Sequence, residues 1–77
     1  MCDKAFSGAR LFLVEHRSYR NGDSVVMCPA MQFREKSARV AARRLADHPR
    51  HGCLHHDGYY VIYESGKRLA EFQGQDL

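Results

Sequence analysis

The dipeptide Asn21-Gly22 constrains the fold of this chain more than any other feature of its sequence. It lies between two stretches rich in strand-forming residues, Ala9–Arg17 and Ser24–Met31. Asn and Gly both tolerate the positive φ angles that a two-residue hairpin loop requires. The segment Arg20–Asp23 therefore predicts a tight turn between two antiparallel strands. Apolar residues on both alternating faces of Ala9–Arg17 predict that this strand lies in the middle of a sheet.

Pro29 restricts the returning strand, because proline has no N–H to donate to a strand ladder. This strand is therefore expected to be an edge strand or to end near Pro29.

The segment Phe33–His48 predicts the single helix of the chain. Its apolar residues recur at helical spacing and form one stripe, made of Ala38, Ala41, Ala42 and Leu45. Leu45 is the only large residue of this stripe, so it is expected to anchor the helix on the sheet. The helix begins either near Gln32 or with Ser37 as its N-cap, and it ends before Pro49.

The remaining segments complete a sheet. Gly58–Tyr63 predicts a third strand, Glu64–Lys67 a glycine-containing turn, Arg68–Phe72 a fourth strand, and residues 73–77 a frayed polar tail. The order strand-strand-helix-strand-strand (ββαββ) predicts a single α+β domain over residues 1–77. In it, an antiparallel sheet of about four strands carries one helix packed on one face, as a two-layer sandwich.

The length of 77 residues favours a binding module over an enzyme. A chain this short buries only about 60% of the surface that its unfolded form exposes, which leaves little room for both a core and a substrate pocket. The apolar run Leu11–Val14 is too short for a signal peptide or a membrane span, so the chain is expected in the cytoplasm without a membrane partner. Cys2, Cys28 and Cys53 lack paired spacing and are expected to be reduced.

The histidine-rich stretch from His48 to Asp57 has three interpretations. His51, Cys53 and His55 would form part of a zinc site, but a second pair of ligands is missing. An RNA-cleaving site would use His55 and His56 as general acid and base, with Arg68, Tyr59 and Tyr63 nearby, although no catalytic motif orders these residues. The favoured interpretation is a polar connector between helix and strand, with no catalytic residue, metal or cofactor.

Positive charge is concentrated around the predicted helix. The whole chain carries a net charge of +3, and six basic residues against two acidic ones lie between Arg34 and Arg50. On a helical projection the basic residues, together with Val40, lie opposite the alanine stripe. Phe33 would join them if it is helical. This face is either a solvated surface or a partner-binding surface, and the predicted binding residues are Lys36, Arg39, Val40, Arg43 and Arg44.

The partner class stays open at this point. A basic face also suits nucleic acid, and aromatic residues on the sheet would either stack on bases or form the core (Phe12, Tyr59, Tyr60, Tyr63 and Phe72). A protein surface bearing carboxylates, or a ribonucleoprotein, fits equally well, and the chain itself is expected as a monomer or homodimer.

Two short motifs and the order of elements resemble small phage-encoded anti-CRISPR proteins of strand-strand-helix-strand-strand plan. The motifs are Ala41-Ala42-Arg43-Arg44 on the helix and Gly66-Lys67-Arg68 in the last turn. The resemblance implies a non-enzymatic inhibitor in the host-cell cytoplasm that docks on a Cas surveillance complex. Such an inhibitor blocks target-DNA binding or nuclease recruitment. The alternatives from the residues alone are a basic nucleic-acid-binding or regulatory domain and, further off, an RNA-cleaving toxin.

Overall fold

A computed structural model describes residues 9–48 and 58–77 of the chain. Its elements are β1 (Arg10–Arg20), β2 (Asp23–Glu35), α1 (Ala38–Ala46), β3 (Tyr59–Glu64) and β4 (Lys67–Gln73), followed by a 3-10 turn at Gly74–Asp76. The strands form one sheet of order β2-β1-β3-β4, in which every neighbouring pair is antiparallel. The predicted α+β fold, with four strands in ββαββ order and one helix, is confirmed. The described part contains no helix that is long and apolar enough to cross a membrane.

The first hairpin turn has the backbone that Asn21-Gly22 predicts, and the second has the predicted positive φ at its glycine and, beyond the prediction, a positive φ at Ser65. Asn21 and Gly22 have φ angles of 53° and 84°, and Ser65 and Gly66 have φ angles of 53° and 79°. Two consecutive positive φ angles characterise the turns whose twist matches that of the flanking strands. The first turn therefore joins β1 to β2, and the second joins β3 to β4.

The strand β2 is an edge strand, as Pro29 indicates, but it continues well beyond this residue to Glu35. The register with β1 shifts between Val14 and His16, which pair with Met31 and Cys28. Pro29 therefore lies at a bulge, where a residue without an N–H is tolerated.

The predicted start of the helix at Phe33 is wrong, and the Ser37 alternative is confirmed. Phe33 belongs to β2, pairs with Phe12 and is buried. The helix begins at Ala38 because the Ser37 hydroxyl accepts a hydrogen bond from the Val40 N–H at 3.2 Å, which satisfies one of the free donors of the first turn. Residues 33–35 instead extend the ladder with β1.

The core lies between α1 and one face of the sheet. The helix contributes Ala41, Ala42, Leu45 and Ala46, and the sheet contributes Phe12, Val14, Phe33, Tyr60 and Ile62. Leu45 is only 1% exposed, so its predicted role in the core is confirmed. The small alanine side chains let the helix axis lie close to the sheet, so the wide side chains of the sheet fill the space beneath it.

The prediction of a frayed tail is wrong. The Gly74 N–H donates to the Gly58 carbonyl at 2.9 Å, and Gly74 is buried. Leu77 packs against the core cluster. The tail is polar in composition, but these contacts hold it against the start of β3.

Candidate partner-binding site

The surface of α1 that faces away from the sheet contains the residues predicted to bind a partner. We call it the helix face and define it as Lys36, Arg39, Val40, Arg43 and Arg44. Four of these residues lie on α1, and Lys36 lies just before its N-cap. Because Ala41, Ala42, Leu45 and Ala46 are buried, the helical repeat turns the remaining side chains outward.

Arg39 is held along one flank of the helix. Its guanidinium lies over the ring of Phe72, with 5.9 Å between the guanidinium carbon and the ring centroid. It also donates a hydrogen bond to the backbone carbonyl of Asp76. The carbonyl carries no net charge, so Arg39 keeps its full positive charge while its position is fixed.

Arg44 is held along the opposite flank. It forms an ion pair with Glu35 at the end of β2, and its guanidinium carbon lies 5.6 Å from the centroid of the Phe33 ring. Glu35 thus compensates the charge of Arg44. The sequence does not distinguish Arg39 from Arg44. In the structure both are held in place, but only the charge of Arg44 is compensated by a carboxylate.

Val40 and Arg43 lie on the outermost side of the helix, opposite the buried stripe. Val40 is 45% exposed. Arg43 makes only a loose contact with Asp47, at 3.9 Å between side chains that are each about 70% exposed. Solvent screens such pairs, and they contribute little to stability. The helix face therefore has an apolar centre surrounded by arginines.

The net charge of this region remains positive. Four cations, namely Lys36, Arg39, Arg43 and Arg44, stand against the two carboxylates of Glu35 and Asp47. Arg43 and Arg44 also lie in the last turn of α1, where cations are favoured by the partial negative charge of a helix C-terminus. The helix face is thus suited to an acidic partner surface.

The opposite surface of the sheet is a second feature, which sequence reasoning missed. We call this surface the open face, because the described residues place no helix on it. On β1 it consists of Leu11, Leu13, Glu15, Arg17 and Tyr19, which alternate with the inward residues Phe12, Val14 and His16. The apolar residues on both faces of β1 indicate this second surface. By themselves, however, they predict only that β1 is a central strand.

Polar side chains form a network on the open face. Arg17 donates to the Glu15 carboxylate at 2.8 Å and to the Ser24 hydroxyl at 2.9 Å. Ser24 in turn shares a hydrogen bond of 2.5 Å with the Tyr59 phenol. Hydrogen bonds from Ser24 and Tyr19, together with Arg17, lower the pKa of Tyr59 even though burial opposes this shift. The network fixes the Arg17 guanidinium over the middle of the sheet.

One end of the open face is hollow. A concavity of about 490 Å³ is lined by Leu11, Leu13, Glu15, Ala30, Gln32, Tyr63 and the Ser65–Gly66 turn. The other end contains Tyr19, which is 65% exposed, and Val26, which is 49% exposed. One end of the open face is therefore concave, and the other end carries exposed side chains.

The five sheet aromatics that were candidates for base stacking do not form an exposed platform. Phe12 and Tyr60 are buried beneath the helix, and Phe72 packs against the same core. Tyr59 lies on the open face but is only 5% exposed. Tyr63 is half-buried and donates a long hydrogen bond of 3.4 Å to Glu15. This arrangement gives little support to base stacking as a binding mode.

The candidate metal and catalytic residues His51, Cys53, His55 and His56 lie outside the described residues, as do Cys2 and Pro49. Over residues 9–48 and 58–77, no group of three or more His, Cys, Asp or Glu side chains could hold a metal ion. Arg68, the candidate phosphate-binding residue, forms an ion pair with Glu71.

Known proteins give no relative for comparison. No protein-family model matches this chain, no curated protein matches its sequence significantly, and no solved structure matches its fold significantly.

Proposed function

We propose that this protein is a small, non-enzymatic binding domain that docks through its helix face on a protein or ribonucleoprotein surface rich in carboxylates. In its specific form, the proposal is an inhibitor that acts in the host-cell cytoplasm on a CRISPR-Cas surveillance complex. It would block target-DNA binding or nuclease recruitment there. The resemblance of the two short motifs supports the choice of this partner, and the chemistry of the helix face supports the docking mode.

The observation that carries the proposal is the exposed Val40 at the centre of arginines that are already held in place. Arg39 is fixed by Phe72 and Asp76, and Arg44 by Phe33 and Glu35. Side chains ordered before binding lose less conformational entropy when the complex forms. Arginine is also enriched among the residues that contribute most to protein interfaces, and interfaces commonly have an apolar centre inside a polar rim.

A nucleic-acid-binding domain is the second candidate, and the excess of cations on the helix face favours it. The two candidates differ in their dependence on salt. Binding to a phosphate backbone weakens steeply as salt rises, because counterions are released from the nucleic acid. Docking on a protein surface around Val40 depends less on salt, since the buried apolar contact is not screened.

The test is the double variant Lys36→Glu, Arg43→Glu. These residues are chosen because Arg39 and Arg44 also contact Phe72 and Phe33, so their loss would disturb packing. The matched control is Arg20→Glu, Lys67→Glu, which changes the net charge equally at exposed positions outside the helix face.

Each protein is first melted to verify that it folds, and is then assayed for inhibition of CRISPR interference and for binding to the purified effector complexes. We expect the helix-face variant to lose inhibition and binding while the control keeps both. Equal inhibition by the two variants would show that the helix face is only a solvated surface. Binding of the wild-type chain to free DNA or RNA that falls steeply with salt, without binding to an effector, would favour the second candidate.

A further inference from the structure

The open face combines a hollow and a projection at opposite ends of one strand pair. The hollow is lined by Leu11 and Leu13 of β1 and by Ala30 and Gln32 of β2. The projection is Tyr19 of β1, with Val26 of β2 close to it in the ladder. Leu13 and Tyr19 are six positions apart, which is about 20 Å along a strand. Both features thus lie over the same two strands.

The charges at the centre of the open face are compensated within it. Glu15 and Arg17 are bonded to each other, and their side chains are only 18% and 26% exposed. Arg68 and Glu71 form a second pair. The central pair of Glu15 and Arg17 is already largely shielded from water, so it loses little hydration when another surface covers it, whereas the Arg68 side chain is still 58% exposed. Such a face is better suited to an apolar, self-complementary contact than to phosphate.

We propose that the open face is the interface of a homodimer, in which the occupant is a second copy of this chain. A two-fold axis lies in the plane between two facing sheets, perpendicular to β1, and passes between Glu15 and Arg17. This operation reverses the strand direction but keeps β2 over β2. It therefore brings Tyr19 of each copy over the hollow of the other.

The same axis also pairs opposite charges. Glu15 and Arg17 are two positions apart on β1 and point to the same side of the sheet. With the axis between them, Glu15 of one copy faces Arg17 of the other, and the reverse pair forms by symmetry. Contacts of residue i with j and of j with i are required of any closed two-fold interface.

The size of the sheet is sufficient for a stable contact. The four strands have 11, 13, 6 and 7 residues, and at about 3.3 Å per residue and about 4.8 Å between strands they present roughly 590 Å² of sheet per copy. A standard interface buries roughly 800 Å² of accessible surface per partner, and side chains add to the projected area of the backbone. The helix faces would lie on the two outer sides of the dimer, so both would stay available to other partners.

Sedimentation equilibrium over a range of protein concentrations tests this dimer. We expect a species of twice the 8.9 kDa mass of one chain. The variant Tyr19→Ser should raise the dimer dissociation constant at least tenfold, because it removes the projection. The matched control Val40→Ser alters another exposed apolar residue, on the helix face, and should leave the constant unchanged. A wild-type chain that stays at 8.9 kDa at millimolar concentration would overturn the proposal.

A charge exchange identifies the interface independently. The variants Glu15→Arg and Arg17→Glu should each be monomeric, since like charges then meet across the axis. Mixed together they should form a heterodimer, because Arg at position 15 of one chain then meets Glu at position 17 of the other. If the dimer survives Tyr19→Ser and both charge variants, its interface lies elsewhere on the chain. Thermal melts verify that each variant folds. If a charge variant does not fold, the dissociation constant of Tyr19→Ser still tests the interface.

Discussion

The imidazole of His16 and the phenol ring of Tyr60 stack face to face, with ring centroids 4.4 Å apart and planes within 6°. The two residues are paired across the central strands β1 and β3, and both are almost completely buried. His16 follows Phe12 and Val14 on the inward side of β1, so it occupies a position where the alternation calls for an apolar residue. The stack lets a polar ring fill this position.

The variant His16→Ala should destabilise the fold strongly. It removes a buried ring, and large-to-small substitutions in a core cost about 2–4 kcal/mol in free energy of unfolding. Loss of the stacked contact with Tyr60 adds about 1 kcal/mol. Urea denaturation followed by circular dichroism measures the change. A midpoint close to that of the wild type would mean that the ring is not needed for packing.

Leu45→Ala should cost about 2–4 kcal/mol in free energy of unfolding, since Leu45 is the large residue of the buried stripe. Val40→Ala is the matched control on the same helix. Val40 is 45% exposed, and surface substitutions change stability by only about 0.5 kcal/mol. Denaturant midpoints of the two variants give the comparison. Equal losses in both would contradict the orientation of the helix.

The hairpins, the central strand and the buried stripe were predictable because each depends on local chemistry. Asn21-Gly22 and Ser65-Gly66 determine their turns through backbone angles, and Leu45 lies on a helical repeat of small residues. The helix start was ambiguous because Phe33 fits both a helix and a strand. Pairing with Phe12, which lies far away in the sequence, decided it in favour of the strand.

The sequence predicted which residues form the candidate site, but it did not predict the contacts that hold them. The helical projection located Arg39, Arg43 and Arg44 on the outer side of the helix. It carried no information about Phe72 or Glu35, which come from other elements and divide the arginines into fixed and loosely held ones. The hollow of the open face was not predictable, because it depends on how β1, β2 and the Ser65–Gly66 turn meet.

Gly58 and Gly66 should respond differently to alanine. Both have positive φ angles, 72° and 79°, which cost a side chain roughly 1–2 kcal/mol. At Gly58 an added Cβ would also lie 2.2 Å from the Arg17 carbonyl oxygen, whereas at Gly66 it would meet no atom within 4 Å. We expect Gly58→Ala to prevent folding or to cost about 3 kcal/mol or more, and Gly66→Ala to cost about 1 kcal/mol. Thermal melts of the two variants test this, and similar losses would contradict the close approach of Gly58 to β1.

The ion pair of Arg10 and Glu64 should make stability depend on pH in the acidic range. Arg10 donates to both carboxylate oxygens of Glu64, at 2.7 and 2.5 Å, and also lies over the Phe12 ring. These hydrogen bonds, with the charge of Arg10, lower the pKa of Glu64 below its ordinary value of 4.5. A carboxyl whose pKa is lower in the folded chain than in the unfolded chain releases its proton more readily when folded.

The contribution of Glu64 to stability is therefore fully present above pH 4.5 and disappears as the pH falls through the lowered pKa of the folded state. The variant Glu64→Gln cannot titrate, so its free energy of unfolding should fall less than that of the wild type between about pH 5 and pH 2. Urea denaturation at a series of pH values measures the two slopes. Glu71→Gln is the control, because it removes an exposed carboxylate on the opposite surface and leaves the Arg10 pair in place. Identical slopes for the wild type and Glu64→Gln would show that the pair of Arg10 and Glu64 does not persist in solution.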